Sequence, residues 1–351
     1  MPRLAACART GRDASGRCPA ALFPAPFPSR GRTRYEGRRQ PQAVEGTDLM
    51  DATETAGRTC PVCGGAGRPQ GAANGETVFA CPGCGLWFYD AAVRNRPATD
   101  EDWYADAEKT APARLAACLA DMTPAFARQI NALEALAPER SLLDVGCGVG
   151  LFLAAAARRG WRVAGVEKTP DAHRAARDAF GLVLSDDPAA AEGGPFGAVR
   201  FSHVLEHVAD PVAFVAESTA RLMPGGIAVA LVPNVRPLCY SAVNRLRRAA
   251  GRDGGRVVAP MQPGHHILGF TQGSLRTLFA RAGLEPVRTF DISMGSRTYY
   301  PMFYDGLMSR QKMSDFPAGQ LLRYWLPIFA DNLGNPFGRG QWAIGYFRKP
   351  A

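Results

Sequence analysis

From residue 141 onward, short apolar runs alternate with stretches in which apolar positions recur every three or four residues. The runs read as buried strands and the stretches as amphipathic helices, and their alternation is the signature of a parallel sheet with helices on both faces. Strands are expected at 141–145, 162–167, 182–185, 198–202 and 227–232, with a helix at 151–159. Thr169-Pro170 and Asp210-Pro211 read as helix starts, an N-cap followed by Pro at N1, and Thr271 caps a helix carrying Leu275, Leu278 and Phe279.

Ahead of this region the pattern changes twice. Residues 1–55 lack apolar periodicity and are rich in Arg, Gly and Pro, so they read as a disordered leader, or as sequence ahead of a true start at Met50. Residues 56–92 hold two tight cysteine pairs, and 93–140 read as a helical linker or lid leading into a catalytic domain at 141–351. Two insertions interrupt that domain, 234–262 and 292–340. The second carries Tyr299, Tyr300, Phe303, Tyr304, Tyr324, Trp325 and Phe329, the composition of a lid core or a homodimer contact.

Charge narrows the choice of partner. The net charge is +9, but residues 1–49 hold nine Arg against four acids, which leaves about +4 for the remaining 300 residues. The folded part is only mildly basic, so a nucleic-acid partner is not expected. No apolar run approaches the roughly 18 residues that cross a bilayer, and no secretory h-region precedes the cysteines. A cytoplasmic protein is expected.

Cys60-Pro-Val-Cys63 and Cys81-Pro-Gly-Cys84 are two CxxC knuckles separated by 17 residues, each followed by Gly. In a reducing compartment this spacing points to one structural zinc ion on Cys60, Cys63, Cys81 and Cys84, since four thiolates leave no open position. The Leu86-Trp87-Phe88-Tyr89 run that follows is aromatic and lacks Lys or Arg, which suits packing on the neighbouring domain better than gripping phosphate.

The first strand of the large domain runs into Asp144-Val-Gly146-Cys147-Gly148-Val-Gly150, a glycine loop that opens onto a helix and lets a ligand approach the backbone. A dinucleotide fingerprint would require a third glycine at 151, where Leu stands. Glu167 closes the second strand, 21 positions after Gly146, where a carboxylate can accept bonds from both hydroxyls of a ribose.

With these elements in register, LLDVGCGVG, GVEKTP, FSHVLEHVADP and LMPGGIAVALVPN resemble the successive motifs of class I S-adenosylmethionine-dependent methyltransferases, in particular the small-molecule subgroup that includes ubiquinone-biosynthesis O-methyltransferases. The resemblance covers about 140–290, with a terminal strand near 341–348. It implies an α/β fold: a seven-stranded, mostly parallel Rossmann-like sheet with helices on both faces and its last strand antiparallel, plus the small N-terminal zinc ribbon. It implies S-adenosylmethionine as cofactor, with Asp144, Gly146, Cys147, Gly148 and Gly150 around its methionine and ribose portions. Glu167 would hold the ribose and Asp186 or Asp187 the adenine, with Ser202 and His203 at the end of strand four completing the set.

His203-Val-Leu-Glu206-His207 also matches the HxxEH pattern of a zinc protease, but a strand precedes it and a helix can start only at Asp210-Pro211. In the ubiquinone-type enzymes the corresponding ExxEH stretch can hold a divalent cation, so the resemblance implies Mg at Glu206 and His207, with His203 standing where the family has its first Glu. His207, His265 and His266 are the candidate bases for an acceptor proton. His207 is favoured because Glu206 could fix its tautomer.

The expected activity is methyl transfer to a hydroxyl of a small-molecule acceptor, a sugar or a phenol-like compound. Two alternatives stay open: a methyltransferase acting on RNA or another macromolecule docked by the ribbon, and a non-catalytic cofactor-binding interaction protein.

Overall fold

The computed structural model describes residues 58–97, 104–252, 254–257, 259–293 and 329–351. The leader and Tyr299, Tyr300, Phe303, Tyr304, Tyr324 and Trp325 lie outside the described residues. Among the described residues, eleven strands form two sheets.

The first sheet contains β1 (Arg68–Ala73), β2 (Glu76–Ala80), β3 (Trp87–Phe88) and β9 (Leu268–Gly269), in the order β1-β2-β3-β9. A short helix, α1 (Ala91–Arg94), follows β3; Asp90 caps it by accepting from the Val93 amide. The cysteine region thus builds three strands and borrows the fourth from a segment nearly 180 residues away.

The second sheet has seven strands: β4 (Ser141–Val145), β5 (Arg162–Val166), β6 (Leu184–Ser185), β7 (Phe196–Ser202), β8 (Leu222–Pro233), β10 (Glu285–Ile292) and β11 (Trp342–Arg348). Their order is β10-β11-β8-β7-β4-β5-β6. β4 to β8 pair in parallel, while β11 runs antiparallel to both β8 and β10. This is the expected class I arrangement, with its reversed last strand.

The helices are α2 (Pro112–Leu136), α3 (Leu151–Ala157), α4 (Pro170–Phe180), α5 (Pro211–Ala220), α6 (Leu238–Ala249) and α7 (Gln272–Arg281). β8 shows why both faces need cover: Ile227, Val229 and Leu231 face one core with α2 and α3, whereas Ala228, Ala230 and Val232 face the other with α7. Leu86, Phe88 and Tyr89 are fully buried in that second core, so the ribbon and the large domain share one interior.

Of the three helix starts read from the sequence, two carry the expected cap. Asp210 accepts from the Ala213 amide, and Thr271 forms a capping box with Ser274. Thr169 stands at the N-cap of α4 but makes no side-chain cap; its hydroxyl donates to Glu167 Oε1 instead.

Candidate functional site

The carboxyl ends of β4, β5 and β7 converge on the glycine loop. Gly146, Gly148 and Gly150 all adopt left-handed backbone, with φ of 71°, 55° and 77°. At Gly146 a side chain is excluded twice, by its φ and because a Cβ would overlap Val204 in the loop after β7. The Gly148 amide donates to Glu167 Oε2 at 3.0 Å, while the Lys168 and Thr169 amides donate to Oε1 at 2.9 and 3.1 Å. The carboxylate is therefore fixed at the rim of the loop, half-buried; the Thr169 hydroxyl also donates to Oε1 at 2.9 Å, so Oε2 is the oxygen that keeps a lone pair for a further donor.

Other residues expected around the cofactor are placed differently. Asp144 is buried beneath the loop, and both its oxygens accept from Arg200 Nη1 at 2.9 Å. The two residues are register partners on β4 and β7, and the Arg200 guanidinium lies 3.9 Å from the Phe152 ring centroid. Burial raises the Asp144 pKa, an effect that the Arg200 charge opposes. Asp144 thus stands on β4 just before the loop with its carboxylate paired to Arg200. The Cys147 thiol is pushed well up, mainly by burial. Asp186 is exposed just past β6, and Asp187 accepts from the Ala189 amide.

After Ser202, His203 takes a left-handed φ of 56°, unusual for a non-glycine residue, and turns the chain into a 3₁₀ turn at Leu205–His207. Glu206 is 1% exposed. His203 Nδ1 lies 3.3 Å from its Oε1 without the alignment of a hydrogen bond, and both carboxylate oxygens lack hydrogen-bond partners. Burial opposes ionisation of Glu206, but the His203 contact and the surrounding histidine charges outweigh it and its pKa falls. His207 projects outward: its ring packs against His265 and His266, with centroids 4.6 and 4.9 Å away.

The three candidate bases are thus brought together. His207 Nδ1 sits 2.9 Å from the His265 carbonyl, and His266 Nδ1 sits 3.2 Å from the Pro260 carbonyl. A carbonyl only accepts, so each Nδ1 carries the hydrogen and each Nε2 keeps its lone pair. The tautomer of His207 is set by a backbone carbonyl rather than by Glu206. Burial, first of all, brings His266 down to about 4, so it is neutral. The Mg expectation at Glu206 and His207 does not hold: the first is sealed inside and the second exposed, and among the described residues His207 groups with His265 and His266 instead.

Residues 118–289 match a family model described as a methyltransferase domain. A ubiquinone biosynthesis O-methyltransferase of Xanthomonas campestris is 33% identical over 113 residues, covering 30% of this chain and 47% of that protein. One from a Caulobacter species is 38% identical over 105 residues, covering 26% and 40%. The chain spans about half the length of the curated relatives it matches. A solved S-adenosylmethionine-dependent methyltransferase from Archaeoglobus fulgidus aligns with a TM-score of 0.41 at 18% identity, covering 64% of this chain and 92% of its own.

Against this methyltransferase domain sits the four-cysteine unit. The four Sγ atoms lie within 4.8 Å of one another, with Cys60 to Cys84 at 3.6 Å and Cys63 to Cys81 at 3.3 Å, and none forms a disulfide. Gly64 and Gly85 turn left-handed directly after each knuckle. Without a cation the sulfurs cannot all ionise: the Cys84 hydrogen bond brings Cys60 down to about 5 while Cys84 itself is pushed up. Sulfurs gathered this closely, on tight turns, fit a tetrahedral thiolate-bound ion.

Sequence reading missed how this unit meets the methyltransferase domain. β3 pairs with β9, and the Tyr89 amide donates to the Ile267 carbonyl at 3.4 Å. The Ile267 amide in turn donates to the Glu206 carbonyl at 2.9 Å, and Asn74 Nδ2 to the Met261 carbonyl at 3.1 Å. The ribbon therefore holds both flanks of the His265–His266 loop. A two-residue strand carries no periodic signal; the uncharged aromatic run at 86–89 was the only hint of it.

Proposed function

We propose that the protein binds S-adenosylmethionine at the glycine loop and transfers its methyl group to a hydroxyl of a small-molecule acceptor held at the histidine cluster. The observation that carries this reading is Glu167, clamped to the Gly148 amide at the rim of three left-handed glycines. A carboxylate fixed there can accept one ribose hydroxyl on Oε2 and the other on Oε1 once the Thr169 hydroxyl rotates away, while the bare loop backbone leaves room for the methionine portion. In this reading Asp186, exposed just past β6, takes the adenine, and Ser202 and His203 are assigned to the other side of the cofactor.

The sulfonium is already activated, so the protein contributes mainly alignment of acceptor oxygen, methyl carbon and sulfur. The oxygen attacks the methyl carbon, the carbon–sulfur bond breaks, and the electron pair stays on sulfur. The hydroxyl proton has to leave, and the histidine cluster, with Nε2 lone pairs on His207 and His266, is the group that activates it. The curated relatives are named as O-methyltransferases, which supports oxygen as the acceptor atom.

The cysteine unit is a structural zinc ribbon in this reading, and its task is to order the loop that carries His265 and His266. Purified protein incubated with methyl-labelled cofactor and fractionated metabolites should label a small molecule, with no loss on nuclease treatment. Label that disappears with nuclease would overturn the small-molecule acceptor.

A further inference from the structure

We propose that His207, His265 and His266 form a second metal site, which takes one divalent transition-metal ion of the zinc class through three imidazole nitrogens. One ring nitrogen from each of the three lies within 4.8 Å of the other two. Around a tetrahedral ion with bonds of about 2.0 to 2.1 Å, ligand nitrogens stand about 3.4 Å apart, so modest side-chain rotation closes the set.

The backbone supports this arrangement. His207 and His266 each spend Nδ1–H on a main-chain carbonyl, of His265 at 2.9 Å and of Pro260 at 3.2 Å. That is the outer bond by which metal-ligating histidines are held in one tautomer, with Nε2 presented to the ion. The rings are also stacked closely, with His265 and His266 centroids 4.6 Å apart at an interplanar angle of 15°.

A second, independent observation lies underneath. Glu206 is 1% exposed, and neither of its oxygens has a hydrogen-bond partner. Among the described residues its one ion-pair contact is His203, whose Nδ1 lies 3.3 Å from Oε1, and a buried carboxylate with so little compensation is costly. A divalent ion at the cluster adds positive charge on the His207 and His266 side of the same carboxylate. Three nitrogen donors and no oxygen select zinc, cobalt or nickel over Mg.

Three protein ligands leave a fourth position open, as at catalytic rather than structural zinc. Its use rests on the methyl-transfer reading: the acceptor hydroxyl binds there, releases its proton to solvent, and attacks the methyl carbon as the bound oxyanion. The ion's presence does not rest on that reading.

The test is a cobalt titration of the full-length, metal-stripped chain, with S-adenosylhomocysteine affinity measured in parallel. Wild type should take up one equivalent more than the His265→Ala/His266→Ala variant, and His207→Ala should weaken that equivalent at least 100-fold. The sulfur-to-cobalt charge-transfer band of the ribbon should persist in each variant, showing that the fold survives. Equal cobalt uptake in wild type and variants would overturn the site. Loss of S-adenosylhomocysteine binding in wild type would instead overturn the methyl-transfer reading and leave the metal count standing.

Discussion

Trp87 of the four-cysteine unit pairs with Gly269, three residues beyond His266, so a strand of the ribbon edge is continuous with the loop that covers the candidate site. The pairing is antiparallel, and Trp87 itself is 8% exposed. The fold of the four-cysteine unit is thereby linked to the placement of the histidines. Breaking the ribbon should alter turnover without touching the glycine loop.

Cys60→Ser removes one of four sulfurs and should lower methyl transfer at least tenfold, because β3 loses its anchor and β9 its partner. Affinity for S-adenosylhomocysteine should stay within about threefold, a result that calorimetry on the same preparation would check. Full turnover in a zinc-free variant would show that the loop holds its shape alone.

His207→Ala should lower turnover by about 10² to 10⁴ with cofactor affinity nearly constant, whether the cluster acts by proton removal or through a metal. Steady-state rates with a labelled cofactor read the first quantity and calorimetry the second. A variant with full turnover would reduce His207 to a loop brace.

Arg200→Met leaves Asp144 buried without its partner and should destabilise the fold by about 3 to 5 kcal/mol. Adding Asp144→Asn should recover part of this loss. Urea denaturation of the two single variants and the double variant measures the coupling, and strictly additive effects would contradict the pairing of β4 and β7 through these side chains.

Asp291 accepts from Asn234 Nδ2 at 2.6 Å, Gln272 Nε2 at 2.9 Å and the Gly340 amide at 3.0 Å, yet burial pushes it up to about 6. An acid whose folded pKa lies above its unfolded value binds its proton more tightly in the folded state. Its contribution to stability is therefore present at about pH 4 and lost as pH rises through about 6. Asp291→Asn should remove that falling slope, as urea melts across the window would show.

The parallel strands were legible because burial on both faces makes them continuous apolar runs, and β4 was expected at its observed bounds. The glycine loop and Glu167 were legible because strand register places them together. The pairing of Asp144 with Arg200 has one sequence signal, an isolated charge in the apolar run of β7. The meeting of His207 with His265 and His266 spans nearly 60 residues and depends on the ribbon strand, so no local pattern encodes it.

Calorimetry of S-adenosylhomocysteine binding to wild type and to Glu167→Ala decides whether the glycine loop and Glu167 hold the cofactor. Two ribose hydrogen bonds to a charged acceptor are worth about 1.5 to 3 kcal/mol each, so the variant should bind at least tenfold more weakly than wild type. A wild-type protein that gives no binding, or a variant that binds equally well, would contradict the assignment of the glycine loop and Glu167 to this cofactor.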